Sequence, residues 1–132
     1  MSAACLLVGR HGFVARAIGK AAADGQLRAV AHGELGRSDL LDGIDCVLAC
    51  AKHPAIHGDD YDLERDDPDV RLARQIGERA IRYLMLSTRK VYAPGSLVLD
   101  ETSPLAPSDA YGRNKLKSEV RLRELLGDRL TV

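Results

Sequence analysis

The sequence predicts an α/β domain in which a parallel β-sheet carries helices on both faces. Short apolar runs, typical of buried parallel strands, alternate with longer segments of helical periodicity. A glycine-containing turn joins the first apolar run directly to the first helix. The length of 132 residues suits a single hydrophobic core. We therefore expect one domain over residues 1–132.

The predicted elements follow one another in an alternating order. They are a strand over 4–8, a helix over 13–24, a strand over 27–31, a short helix near 38–43, a strand over 45–50, a long loop, a helix over 69–82, a strand over 83–87, a loop, a helix over 108–126 and the start of a strand at 130. This alternation indicates parallel strands joined by crossover helices. The stretch after the second strand is too short for another strand with its own crossover, which needs a dozen or more residues.

The first strand leads into a turn that suits a phosphate group. Residues 9–15 follow the apolar run and have the pattern G-x-x-G-x-x-A. Gly9 permits the tight turn, and Gly12 lets the backbone approach a pyrophosphate at the helix N-terminus. Ala15 is small enough for close packing of helix on strand. The pattern alone is common, but its position between a strand and a helix is the context that it requires.

The two long helices each carry an apolar stripe on one side. The stripes consist of Val70, Ala73, Ile76, Ala80 and Ile81 in the first helix, and of Leu116, Val120, Leu122 and Leu125 in the second. We interpret the charged residues on the other sides of these helices as solvated faces.

A candidate proton-transfer set lies in the second half of the chain. Tyr111 and Lys115 stand four residues apart in the run Y-G-R-N-K. That spacing places both on one helix face, where an ammonium favours the ionised form of a phenol. Thr88, 23 residues before Tyr111, could hold a substrate oxygen, and Ser87 is the competing hydroxyl. Such a set requires a hydride partner.

Taken together, these motifs resemble the extended short-chain dehydrogenase/reductases, which are NAD(P)-dependent epimerases, dehydratases and reductases acting mostly on nucleotide sugars. The resemblance covers nearly the whole chain. It rests on Gly9, Gly12, Phe13 and Ala15, on the runs 47–51 and 86–92, and on the segment 101–115 that ends in Tyr111 and Lys115. The resemblance implies a Rossmann-type sheet and a catalytic role for Thr88, Tyr111 and Lys115.

The family's roles carry over by position. Thr88 would bind the substrate oxygen, Tyr111 would act as acid and base, and Lys115 would favour the phenolate and hold the nicotinamide ribose. The implied cofactor-binding residues are Gly9, Arg10, Gly12, Phe13, Val14, Ala49, Ser87, Tyr111 and Lys115. The implied reaction is hydride transfer between NAD or NADP and a nucleotide sugar. The family also implies a homodimer formed through helices 69–82 and 108–126.

The preference between NAD and NADP is open. The family often ends its second strand with an acidic residue that favours NAD, but here 27–31 are followed by His32, Gly33 and Glu34. Glu34 is one candidate for that role. Arg10 could instead meet the 2′-phosphate of NADP, or be simply solvated. The compact region after the second strand is similar to that of dTDP-4-dehydrorhamnose reductase-like enzymes.

The sequence ends at 130–132, where the family's sheet continues towards a smaller substrate-binding portion. We therefore expect an incomplete Rossmann domain, with that C-terminal portion absent. The alternatives are a non-catalytic NAD(P)-binding module or subunit completed by another chain, and a purely structural α/β domain. The sugar, and the choice between epimerase, dehydratase and reductase, stay open.

Composition excludes several other classes. Lys plus Arg equals Asp plus Glu at 19 each, so charge gives no reason to expect a nucleic acid or an anionic membrane as partner. The chain lacks an apolar run long enough to span a bilayer and a signal-peptide pattern, so we expect a cytoplasmic protein.

No metal site is expected. The three cysteines lack a C-x-x-C spacing and are interpreted as buried thiols. His53 and His57 flank Pro54, which favours a loop, where they are ordinary histidines or contact substrate. The acidic run 59–67 lacks the glycine and spacing of a calcium loop, so we expect a solvated segment.

Overall fold

The computed structural model describes residues 4–95 and 98–132. Its strands are Ala4–Val8 (β1), Leu27–Val30 (β2), Ile44–Ala49 (β3), Arg82–Met85 (β4) and Leu130–Thr131 (β5). Its α-helices are Phe13–Ala21 (α1), Leu63–Asp66 (α2), Pro68–Ile76 (α3) and Ala110–Leu126 (α4). All five strands are parallel and lie in the order β2-β1-β3-β4-β5. The predicted α/β class with a Rossmann-type parallel sheet is confirmed.

The chain builds the sheet outwards from β1 in two directions. β2 lies on one side of β1, whereas β3, β4 and β5 follow one another on the other side. Crossovers between parallel strands are right-handed. The chain passes from β1 to β2 in one direction across the sheet and from β3 to β5 in the other, so α1 lies on one face and α2–α4 lie on the opposite face. The order reverses between β1 and β3, and a crevice is expected beyond the carboxyl ends of these strands.

The hydrophobic core lies on the face that α3 and α4 cover. It includes Leu6, Val8, Val47, Ala49, Tyr83 and Met85 of the sheet with Leu72, Ala73, Ile76, Leu122 and Leu126 of the two helices. Along β4 and the residue after it, the buried Tyr83 and Met85 alternate with Leu84 and Leu86, which are 36% and 45% exposed. The face of β4 that points away from α3 and α4 is therefore open to solvent.

Side-chain caps determine where α3 and α4 begin. Asp67 accepts a hydrogen bond from the backbone N–H of Val70 at 3.0 Å, and Asp109 accepts one from Gly112 at 2.7 Å. α1 differs, because it begins after Gly12 without a side-chain cap. The N–H groups of its first turn are therefore available to a ligand.

Several predicted boundaries are wrong. The short helix near 38–43 is absent; these residues form turns, because aspartates and a glycine flank Leu40 and Leu41, which are buried in the core. The helix predicted over 13–24 ends at Ala21.

The helix predicted over 69–82 ends at Ile76, where Gly77 caps it. Ile81 was therefore assigned to the wrong element, and the strand predicted over 83–87 runs from Arg82 to Met85. The long loop before α3 contains a 3-10 helix, Pro54–His57, as well as α2.

The region between β2 and β3 is compact, as its length predicted. Residues 31–43 hold a 3-10 helix, His32–Glu34, and turns, and β2 is an edge of the sheet. Over the two described segments of the chain, no helix has the length and apolar character needed to cross a bilayer.

Gly112 provides a test of the contact between α4 and the 3-10 helix Arg89–Val91. A Cβ atom on Gly112 would overlap the backbone oxygen of Lys90. A backbone carbonyl cannot move aside without displacing its segment, so we expect Gly112→Ala to lower the free energy of unfolding by about 2 kcal/mol or more. Urea unfolding monitored by circular dichroism measures this change.

Gly19→Ala is the matched control, since a Cβ on Gly19, within α1, meets no described atom within 4 Å. This change should raise the free energy of unfolding by roughly 0.5–1 kcal/mol. An unfolding midpoint of Gly112→Ala equal to that of the parent protein would contradict the close contact.

Candidate active site

A cleft of about 590 Å³ opens at the carboxyl ends of the strands. Its lining residues are Gly9, His11, Gly12, Phe13, Val14, Ala31, His32, Cys50, Ala51, Lys52, Leu86, Ser87, Tyr111 and Lys115. They come from the segments that follow β1, β2, β3 and β4, and from α4. This is the position at which open parallel sheets bind ligands.

The floor of the cleft is the turn between β1 and α1. Gly9 has a φ of 96°, which only glycine adopts readily, and a Cβ on it would lie 2.9 Å from the backbone nitrogen of Ala51. The N–H groups of Gly9 and Arg10 donate to the oxygen of Val30 at 2.8 and 3.1 Å. The turn is thereby held between β2 and β3, with the uncapped start of α1 beside it.

Most residues of the predicted site share this cleft. Gly9, Gly12, Phe13, Val14, Ser87, Tyr111 and Lys115 line it. Ala49 is buried in the core. Thr88 lies in a neighbouring cavity, which Ser87 also lines. The Thr88 hydroxyl oxygen accepts from the N–H of Lys90 at 3.3 Å, whereas the Ser87 hydroxyl donates to the Glu119 carboxylate.

Arg10 and Glu34, the two residues that offered opposite cofactor preferences, form an ion pair with each other. Arg10 Nη1 lies 3.0 Å from Glu34 Oε2. The same oxygen accepts from the N–H of Ala31 at 2.8 Å, and Arg37 lies 3.7 Å from the other. The charge of Arg10 is therefore balanced at the end of β2.

The ring of Tyr111 is surrounded by basic side chains. His57 stacks on it, with ring centroids 4.8 Å apart and an interplanar angle of 21°. Lys52 Nζ and Lys90 Nζ lie 5.3 and 5.9 Å from the ring centroid, within the range of cation–π attraction. Lys90 is also paired with Asp109 at 2.7 Å. The sequence indicated His57 only as a loop histidine or a substrate contact, and no pattern indicated Lys52.

The loop that carries His57 is fastened to α4 by Asn114. The Asn114 side-chain amide donates to the backbone oxygens of Ile56 and Gly58, both at 2.9 Å. Asn114 is 5% exposed. Its place within Y-G-R-N-K was visible in the sequence, but its partners lie more than 50 residues away, so spacing along the helix could not reveal the role.

Lys115 is buried one helical turn after Tyr111. The residue is 5% exposed, and its Nζ donates to the backbone oxygen of Leu86 at 3.0 Å. This bond directs the ammonium towards the end of β4, beside Ser87.

Two buried carboxylates lie behind the cleft. Asp67 accepts from the Tyr61 hydroxyl at 2.9 Å and from the Ser118 hydroxyl. Asp69 accepts from the Tyr83 hydroxyl at 2.6 Å. Burial and the neighbouring Asp67 raise the pKa of Asp69 to about 6, although Lys115 and Tyr83 act in the opposite direction. The expectation of a solvated segment over 59–67 is wrong at its end, because Asp67 caps α3 and is 2% exposed.

The three cysteines are free and partly buried. Burial and the neighbouring Cys46 raise the pKa of Cys5 to about 12, and burial also raises the pKa of Cys50. Thiols in this state are poor nucleophiles. Within residues 4–95 and 98–132, no group of three His, Cys, Asp or Glu residues is arranged to hold a metal ion.

Comparison with known proteins identifies solved structures that share this fold. No protein-family model matches the chain, and no curated protein matches it. Solved structures do match. MoeE5 in complex with UDP-glucose and NAD is 20% identical, with a TM-score of 0.77 over 98% of this chain and 52% of its own.

Two further structures give the same result. The dTDP-4-dehydrorhamnose reductase of Bacillus anthracis, in complex with NADP, is 15% identical, with a TM-score of 0.76 over 95% of this chain and 50% of its own. A short-chain dehydrogenase/reductase superfamily protein of Agrobacterium tumefaciens with bound NAD is 23% identical, with a TM-score of 0.71 over 94% and 45%. The chain shares their fold and spans about half their length.

The raised pKa of Asp69 predicts how stability depends on pH. An unfolded carboxyl titrates near 3.8, so this group's favourable contribution is complete below pH 4 and is lost as the pH rises through about 6. Asparagine does not titrate. The stability of Asp69→Asn relative to the parent should therefore rise by roughly 2 kcal/mol between pH 4 and 7. Urea unfolding of both proteins across this range measures it.

Asp66→Asn is the control, because Arg65 holds the pKa of Asp66 at about 2. The pKa of Asp66 then lies below 4 in both the folded and the unfolded chain. The difference in unfolding free energy between Asp66→Asn and the parent should therefore be constant between pH 4 and 7. An equally constant difference for Asp69→Asn would contradict the assignment of a raised pKa to Asp69.

Proposed function

We propose that this chain binds NAD or NADP and supplies the proton-transfer residues of an oxidoreductase, epimerase or dehydratase acting on a nucleotide sugar. One observation carries the proposal: the uncapped start of α1 lines the same cleft as Tyr111 and Lys115. Solved structures of the same fold with bound NAD or NADP support it.

The turn at Gly9 and Gly12 fits a dinucleotide. The free N–H groups of α1 are donors for a pyrophosphate, and the helix dipole adds a partial positive charge. Gly9 keeps the backbone close to Ala51, in space that a Cβ would fill. Lys115, which lines the cleft, is the proposed donor to a ribose hydroxyl. When bound, a nicotinamide cofactor would supply the hydride.

Tyr111 is the proposed acid and base. Its hydroxyl would give a proton to the substrate oxygen or remove one from it. Lys52 and Lys90 lie over its ring, and Lys115 follows one helical turn later. Thr88, which lines the neighbouring cavity, is the proposed contact to the substrate oxygen, and Ser87 lines both cavities. His57 limits the movement of the ring by stacking on it.

An NAD(P)-binding module completed by another chain is the second candidate. The open face of β4, with Leu84 and Leu86 exposed, favours it. Both candidates predict that the chain binds the cofactor. They differ in whether the chain turns over a substrate.

The homodimer through α3 and α4 also stays a prediction. It is supported by a groove of about 490 Å³ that Leu63, Pro107, Leu116 and Val120 line along α4.

Cofactor binding is tested by fluorescence titration of the chain with NADH and NADPH in parallel. We expect saturable binding, with an affinity ratio that reveals whether Arg10 or Glu34 sets the preference. Gly9→Ala should weaken binding of either cofactor at least about tenfold, because its Cβ needs the space beside Ala51.

Gly25→Ala is the matched control, since Gly25 also has a positive φ, 80°, but a Cβ there meets no described atom. It should bind as the parent does. A folded parent chain that binds neither cofactor would refute the proposal.

The role of Tyr111 is tested by Tyr111→Phe, which keeps the ring on His57 and removes the hydroxyl. Affinity for NADPH or NADH should stay within about twofold, and turnover should fall by about 10²–10⁴-fold. Steady-state oxidation of the reduced cofactor by a nucleotide 4-keto sugar measures this change. Turnover equal to the parent's would exclude Tyr111 as the acid.

A further inference from the structure

Two adjacent hydroxyls, those of Ser87 and Thr88, follow β4 at the carboxyl end of the sheet, and both residues are half-buried. Ser87 lines the cleft and the neighbouring cavity of about 300 Å³, whereas Thr88 lines the neighbouring cavity. A hydroxyl has one proton to donate and an oxygen that can also accept. The partner that each hydroxyl already has therefore determines what it can offer to a ligand.

The proton of Ser87 is already used. The Ser87 hydroxyl donates to the Glu119 carboxylate of α4. An ionised carboxylate accepts hydrogen bonds and has no proton to return. While this bond holds, the Ser87 oxygen can accept a hydrogen bond from a group in the cleft, but it cannot donate one.

Thr88 has the opposite arrangement. Its hydroxyl oxygen accepts from the backbone N–H of Lys90 at 3.3 Å. Over residues 4–95 and 98–132, no side chain or backbone oxygen accepts the Thr88 proton. That proton is therefore available to an oxygen atom of a bound ligand. The sequence left the two hydroxyls as alternatives, and their partners in the structure distinguish them.

Glu119 is placed by the helix that carries Tyr111 and Lys115. It stands four residues after Lys115, on the same face of α4. The Lys115 ammonium donates to the backbone oxygen of Leu86 at 3.0 Å, so two successive turns of α4 hold two successive residues after β4. Lys115 fixes a backbone carbonyl there, whereas Glu119 fixes a hydroxyl proton. Glu119 is half-buried and lines the neighbouring cavity rather than the cleft.

We propose that Glu119 is a positioning residue that fixes the direction of the Ser87 proton. Ser87 is thereby the acceptor for an N–H or O–H group of the bound ligands, and Thr88 is the hydroxyl that donates to the reacting oxygen. This division of roles rests on the proposed function. The bond between Ser87 and Glu119 does not, and it can be measured without a ligand.

Hydroxyl exchange in the unliganded chain tests the bond. In a mixture of light and heavy water, a serine hydroxyl that exchanges slowly gives separate ¹³Cβ signals for its protonated and deuterated forms, and the exchange rate follows from them. Loss of a hydrogen bond to a charged group exposes the proton to water. In Glu119→Ala, the Ser87 hydroxyl should therefore exchange at least about tenfold faster than in the parent.

Glu124→Ala is the matched control, because Glu124 is an exposed glutamate of α4 that pairs within the helix. Ser87 should then exchange within about twofold of the parent rate. The Ser118 hydroxyl, which is buried and bonded to another carboxylate, is the internal reference for packing. An unchanged Ser87 rate in Glu119→Ala overturns the proposal. An equal rise at Ser118 also overturns it, since looser packing would be the cause.

Steady-state turnover with NADH or NADPH and a nucleotide 4-keto sugar tests the two roles. Thr88→Val removes the proposed donor and should lower kcat about 10²-fold, whereas Ser87→Ala should lower it less than about tenfold. Glu119→Ala should lower kcat/KM about tenfold, and Glu119→Gln, which keeps an acceptor oxygen, should stay within about threefold of the parent.

Because Glu119 acts through Ser87, its effect should disappear when the serine is absent. In the Ser87→Ala background, Glu119→Ala should change kcat/KM by less than about twofold, a result that a merely structural role for Glu119 would not give. Additive losses overturn the proposal, and so does a larger loss of kcat in Ser87→Ala than in Thr88→Val. A parent chain that binds neither NADH nor NADPH would refute the proposed function, and the exchange rates of Ser87 would still decide whether Glu119 holds its proton.

Discussion

The position of α4 depends on polar contacts with segments far from it in sequence, and the cleft depends on α4. Ser118 bonds to Asp67, Asn114 holds the loop at Ile56 and Gly58, and Gly112 allows the Lys90 backbone to come close. These contacts place the helix against α3, the loop after β3 and the end of β4 together. Tyr111 and Lys115 reach the cleft because these three contacts fix the position of α4.

Local patterns in the sequence were sufficient for the sheet and for part of the site. Most of the strands are short apolar runs, and such runs are recognisable without knowledge of their neighbours. The turn at Gly9 and Gly12 is one continuous motif, and the spacing of Tyr111 and Lys115 follows from helix geometry. Each of these features is encoded within a few residues.

The contacts that shape the site are not encoded in this way. His57 stacks on Tyr111, and Asp67 meets Ser118 51 residues away, so no periodicity connects them. The acidic run 59–67 was predicted to be solvated because charged side chains are usually exposed to solvent. The folded chain buries its last member, Asp67, because the N–H of Val70 and the hydroxyls of Tyr61 and Ser118 compensate the carboxylate. The predicted end of α3 was wrong because Ala80 and Ile81 continue its apolar stripe beyond Gly77, the glycine that caps the helix.

The ion pair of Arg10 with Glu34 has a consequence for how nucleotide preference evolves. In the proposed complex with NAD or NADP, these two side chains would present a dipole with little net charge to the adenosine end of the dinucleotide. An extra phosphate would gain the guanidinium and meet the carboxylate, whereas a free ribose hydroxyl would gain the carboxylate and leave the guanidinium already neutralised. The selectivity of such a site would be a small difference between opposed interactions. A substitution of either partner should then shift the preference while the phosphate turn stays unchanged.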